Sequence, residues 1–167
     1  MKKLREIRET LDTWLGYFLS ILMALMVFDV VWGVLARYIL NNPSSFTDEL
    51  AGYLLIWVGL LGASLASGKG MHLAIDLLPK KLEGEKQQRL EIVIEVLIFL
   101  FALSIMVIGG IRLMYVTLKL GQTSPSLGLP LGYVYLVLPL SGIFIMFYSA
   151  ANIFEKLNTK QQEVEID

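Results

Sequence analysis

Cysteine is absent from this chain and histidine occurs once, at His72. The first absence removes disulfides, thiolate metal sites and cysteine nucleophiles together, and with them any redox clue to compartment. His72 with Asp76 one helical turn later is too small a ligand set for a metal, and a haem held by two histidines of one chain is arithmetically impossible. Charge is also scarce: Asp, Glu, Lys and Arg make up 17% of the residues against 56% hydrophobic. Ordinary soluble domains are about 45–50% apolar, so this chain cannot hide all its apolar side chains from its surroundings inside a water-soluble globule. There is no Gly-rich phosphate loop, no nucleophile elbow and no zinc motif. The sequence therefore carries no catalytic residues, asks for no cofactor or metal, and has no nucleic-acid signature.

What it has instead is four apolar stretches: residues 14–36, broken only by Asp29; 50–67, without a charge; 92–111, with only Glu95 inside; and 131–153, uncharged. Each approaches or exceeds the ~20 residues a helix needs to cross a ~30 Å hydrocarbon core. Strands are excluded, because backbone groups in lipid must be paired and four strands cannot close a barrel. The fold class expected is an all-α integral membrane protein of four transmembrane helices, one domain over residues 1–155, with a polar tail at 156–167. The start of the chain mixes basic and acidic residues, and the apolar run after it lacks a small-residue cleavage pattern, so that run is expected to remain in the mature protein.

Orientation follows from the basic residues. Eleven of the fourteen Lys and Arg fall in the N-terminal tail, the 68–90 connection and the C-terminal tail. These three segments are expected in the cytoplasm, which puts the two poorer loops outside. Leu4, Ile7, Leu11 and the Trp14–Leu15 pair recur at spacings of three and four, predicting an amphipathic N-terminal segment that lies on the inner leaflet or extends the first membrane helix. Gly68, Gly70 and the apolar set Met71, Leu73, Ile75, Leu77 and Leu78, ended by Pro79, predict an interfacial cytoplasmic arm. Pro139 predicts a kink in the fourth helix.

Candidate functional residues carry two readings each. Asp29 lies 15 residues past Trp14, ~22 Å along the helix axis and in the outer half of the membrane. It is either a proton or cation relay or a carboxylate paired with a polar group on another helix or a partner chain. Arg37, Asp48, Glu49, Arg112 and Lys119 line the outer side as a contact surface for a periplasmic protein, or as headgroup-level charges with Asp48 and Glu49 suiting the positive start of the second helix. Gly59, Gly62, Ala63, Ala66 and Gly70 form rows of small side chains that suit close helix packing, within the subunit or toward a partner. His72 and Asp76 read as an interfacial pair, and Glu91 and Glu95 as acids at a helix N-terminus. The tryptophans and most tyrosines fit an aromatic belt at the span ends. The internal repeats and broken polar helices of a self-sufficient transporter are missing.

Arg37-Tyr38, Thr47-Asp48-Glu49-Leu50-Ala51, the run Trp57 to Ser64, the run Gly70 to Asp76, and Gly121 to Pro130 before a last helix with Tyr133 and Pro139 occur in an order that resembles the small membrane subunit, DctQ-like, of tripartite ATP-independent periplasmic (TRAP) transporters. The aromatic that family often places just before the acidic pair stands here at Phe46. The resemblance covers residues ~14 to ~155 and implies a bacterial inner-membrane protein. It implies a large membrane subunit that carries the substrate and sodium sites and moves like an elevator, and a periplasmic binding protein that delivers an organic acid, such as a C4-dicarboxylate or a sialic acid. The small subunit would brace the scaffold of the large one and help dock the binding protein transiently. The competing reading is an autonomous four-helix exporter with Asp29 as its proton-coupling carboxylate. A membrane anchor for a respiratory enzyme is disfavoured by the single histidine.

Overall fold

The structure, a computed structural model, describes residues 2–40, 45–69 and 85–164. They form α1 (Lys2–Tyr38), α2 (Ser45–Gly68), α3 (Glu85–Phe101), a π-helical segment (Ala102–Gly109), α4 (Gly110–Lys119), α5 (Leu131–Tyr135) and α6 (Val137–Val164). Four helical stretches are long and apolar enough to cross a membrane, at Glu6–Tyr38, Ser45–Gly68, Lys86–Lys119 and Leu131–Leu157. The third is a single rod built from α3, the π segment and α4. No strand occurs among the described residues beyond one isolated bridge between Thr123 and Pro130.

The first helix shows how the pattern becomes packing. Leu15, Leu19, Leu22, Met26, Asp29, Gly33 and Ala36 recur at alternating steps of four and three, which keeps one stripe of a helix turned toward a neighbour. All but Met26 and Gly33, which are half-buried, lie buried. That stripe packs on α2, with Gly33 against the Thr47 side chain. α2 packs on α6, and α6 on the third rod. The buried core joins Leu15, Leu19 and Leu22 of α1, Leu61 of α2, and Val137 and Tyr148 of α6. In lipid such a core gains little from leaving its solvent, so close van der Waals fit and hydrogen bonds must hold it.

The N-terminal residues are helical from Lys2 and run into the first span without a break. At 37 residues α1 is ~55 Å long, well beyond a ~30 Å hydrocarbon core. The fourth span is interrupted at Leu136, three residues before Pro139. Pro139 has no N–H to give to the Tyr135 carbonyl, so the ladder breaks there. Leu136 N bonds Tyr133 O at 3.4 Å and Leu140 N bonds Leu136 O at 3.3 Å across the break. The Trp57 indole N–H donates to the nearby Val134 carbonyl at 3.1 Å. Below the break the π segment comes close to α6 at Gly142, where an added Cβ would stand 2.8 Å from the Met106 Cβ.

Candidate functional site

Two groups of described polar side chains tie the helices together, one at each end of the spans. At the end formed by Tyr38, Ser45 and Lys119, the first turn of α2 projects Glu49 toward the connection between α4 and α5. The Ser124 hydroxyl donates to Glu49 Oε2, the Ser126 N–H lies 3.2 Å from both carboxylate oxygens, and the Leu127 N–H lies 3.3 Å from Oε2. The Leu127 N–H also lies 3.1 Å from the Ser124 hydroxyl. The connection is prepared for this. Gly121 and Gly128 take φ of +62° and +65°, the region open to glycine. Ser124 N bonds Leu129 O at 2.8 Å, Gly128 N bonds Ser124 O at 3.0 Å, and Leu131 N bonds Gln122 O at 3.0 Å. These turns aim successive N–H groups at one carboxylate, a concave anion seat filled by the protein's own side chain. Beside it Arg37 and Asp48 form an ion pair at 3.2 Å, both largely exposed, the kind that contributes at most ~1 kcal/mol.

The opposite end is pinned by a second set of contacts. Tyr148, fully buried, donates to Asp12 Oδ1 at 2.5 Å. Arg8 donates to the Gly68 carbonyl and lies 3.4 Å from Glu155. Gly68 lies flat on the Tyr148 ring, where an added Cβ would stand 2.6 Å from Cε1. Between α3 and α6, Glu95 is only 5% exposed. Its carboxylate accepts from the Ser149 hydroxyl at 2.6 Å and from Asn152 Nδ2 at 2.9 Å. Lys156 bridges Glu91 at 3.2 Å and reaches Glu95 at 3.9 Å. Glu95 thus sits ten residues inside α3 as the centre of an interhelical network, deeper than an acid favouring a helix N-terminus needs to be.

The residues singled out from the sequence separate into groups. Arg37 and Asp48 meet each other, and Glu49 meets the α4–α5 connection instead of Arg37. Arg112 and Lys119 lie exposed on α4, seven residues apart and so on one face. Gly59 and Ala63 are exposed, Gly62 and Ala66 half-buried, and a Cβ at Gly59 or Gly62 would meet open space. Asp29 is 7% exposed, and its Oδ2 is buried without a hydrogen-bond partner among the described residues. Gly70, His72, Asp76 and the expected interfacial arm lie outside the described residues. Among the described residues no three His, Cys, Asp or Glu cluster as metal ligands would. Tyr148, Asp12, Ser149 and Asn152 were not read from the sequence as site residues. The available signal was depth: Glu95 and the Ser149–Asn152 pair fall at the same level of two antiparallel spans.

The family described as tripartite ATP-independent periplasmic transporters, DctQ component, matches residues 23–159. A putative TRAP transporter small permease protein of Haemophilus influenzae is 31% identical over 124 residues, covering 74% of this chain and 75% of that protein. The sialic acid TRAP transporter small permease protein SiaQ of Vibrio cholerae is 26% identical over 133 residues, covering 80% of this chain and 75% of the other. The sialic acid TRAP transporter permease protein SiaT of Haemophilus influenzae is 33% identical over 96 residues, which is 54% of this chain and 15% of that longer one.

Proposed function

This chain belongs to the family of DctQ components of tripartite ATP-independent periplasmic (TRAP) transporters, and from that premise we propose that it braces the large membrane subunit and presents a rigid outer surface to the periplasmic binding protein. The transport served is sodium-coupled uptake of an organic acid, of the sialic acid or C4-dicarboxylate type. The chain lies in the bacterial inner membrane with both tails in the cytoplasm, so the Glu49 end faces the periplasm. The observation that carries this reading is the Glu49 carboxylate seated on the Ser126 and Leu127 N–H groups. It ties the one described outer connection to the start of α2, and a surface ordered in advance loses less freedom when a partner docks. Exposed charges of both signs at Arg37, Asp48, Arg112 and Lys119 suit a transient, salt-sensitive encounter. The span of likeness to a much longer sialic acid permease supports a large membrane subunit as the standing partner. The sialic acid named for two relatives supports an acidic substrate. The exporter reading of Asp29 is not favoured, because the family matched is a component of tripartite transporters and two relatives are named small permease proteins of such transporters.

Charge reversal tests the docking role. Replacing Arg112, Lys119 or Asp48 by the opposite charge in the assembled transporter should raise the binding-protein concentration for half-maximal uptake by roughly two- to fivefold, the size of an exposed charge contact. The rate at saturating binding protein should change less. If all three reversals leave that concentration unchanged, the outer surface has no part in docking.

A further inference from the structure

The groove between α1 and the first half of α2 is lined by Leu25, Phe28 and Trp32 on one side and by Phe46, Leu50 and Leu54 on the other, with a volume of about 440 Å³. It is apolar except for Asp29, which lies in its wall. Asp29 occupies a buried position of the α1 stripe, yet its Oδ2 is the one buried side-chain oxygen or nitrogen without a partner among the described residues. The α2 side chains that line the groove with it have no donor to offer: Phe46, Leu50 and Leu54 are hydrocarbon. The charged groups of α1 and α2 nearest to it along the chain are engaged elsewhere, Arg37 with Asp48 and Glu49 with the α4–α5 connection.

Asp29 stands nine residues before the end of α1 at Tyr38, ~13 Å below that end at 1.5 Å per residue. At that depth a carboxyl oxygen left unbonded is costly, and intramembrane acids characteristically pair with a donor. An acyl chain would fill the groove and leave Oδ2 as it is. A second helix carrying a donor among apolar side chains would match both the walls and the carboxylate, once the Asp29 side chain turns its closed-off Oδ2 toward the groove. Resting on the proposed subunit role, we infer that this groove receives a transmembrane helix of the large membrane subunit, with a side-chain hydrogen-bond donor (a basic, amide or hydroxyl group) placed against Asp29. The row containing Gly59 and Ala63 is a separate surface. At 100° per residue it lies on the side of α2 opposite Leu50 and Leu54.

Photoreactive p-benzoylphenylalanine is placed at Phe28, at Leu50 or, on the opposite face, at Leu55, in cells making the whole transporter. Irradiation should join the chain to the large subunit from Phe28 and Leu50. Asp29→Leu should cut the amount of large subunit that co-purifies by roughly tenfold, the scale of one charge-assisted bond lost. Asp29→Asn, which keeps an acceptor oxygen, should cut it less. The isolated Asp29→Leu chain should melt in detergent no lower than the unsubstituted one, since it loses an oxygen that had no partner. The inference is overturned if Phe28 and Leu50 yield adducts only with lipid or with a second copy of this chain. It is overturned equally if Asp29→Leu leaves co-purification unchanged, or if its isolated chain melts lower in step with the lost complex. Failure of the unsubstituted chain to co-purify with any large subunit would instead refute the subunit reading on which the inference rests.

Discussion

Glu49 and Glu95 are the same side chain put to two uses. Glu95 lies between two helices and takes hydroxyl and amide donors from α6, whereas Glu49 lies at a helix start and takes backbone N–H groups from a connection 75 or more residues away. Removing Glu95 leaves donors that folding has already taken from water, which costs about 1–3 kcal/mol for each group left buried and unpaired, whereas the Ser126 donor left by Glu49 is exposed and can turn to water. The consequences differ in place. Glu49→Ala should speed amide hydrogen exchange at Ser126 and Leu127 while leaving the spans protected, because the seat loses its occupant. Exchange unchanged at those two amides would mean that the turn chemistry of Gly121 and Gly128 alone holds the connection. Neither pairing was legible from the sequence. Acids before a helix have a sufficient local explanation in the helix dipole, and a serine in a connection says nothing about what stands opposite it.

At the scale of elements, the four long helices were legible because lipid demands the same thing of every span, an uninterrupted apolar length. Departures from simple rods were only partly so. Pro139 announces a break in the fourth span by its missing N–H, and the break falls about one turn earlier, at Leu136, next to the Tyr135 carbonyl that Pro139 cannot bond. The π-helical stretch Ala102–Gly109 has no such announcement, since no proline marks it and its one polar residue, Ser104, gives its hydroxyl to the Leu100 carbonyl as serines in ordinary helices do. Its signature is in the partner: Gly142 admits the Met106 side chain. Gly142→Leu should therefore lower the stability of the chain in detergent by about 1–3 kcal/mol, the usual cost of overfilling a packed interface. Thermal unfolding followed by circular dichroism measures it, and a variant as stable as the parent would show that α6 and the π segment are free to part. Among the described glycines the close approaches fall at Gly33, Gly68, Gly110, Gly132 and Gly142, whereas a Cβ at Gly59 or Gly62 would meet open space. Spacing alone cannot tell which of a helix's faces is turned inward.

For the whole molecule, end-to-end pinning is the common theme: Glu49 to the α4–α5 connection at one end, and Asp12 to Tyr148 with Arg8 to Gly68 at the other. Both ends must face the sides that the basic residues assign to them. Reporters fused after Lys160 should read cytoplasmic and one inserted near Pro125 periplasmic, given the excess of Lys and Arg in the tails and the 68–90 connection. An exterior reading after Lys160 would reverse the assignment of Glu49 to the docking side. The central claim, that this chain serves a larger permease and transports nothing by itself, is tested most directly by reconstitution. Proteoliposomes are made with this chain alone, and with this chain plus the large membrane subunit. Uptake of a labelled organic acid is then measured with binding protein and a sodium gradient supplied to both. The account predicts uptake only where both membrane subunits are present; accumulation of the acid by vesicles holding this chain alone would contradict it.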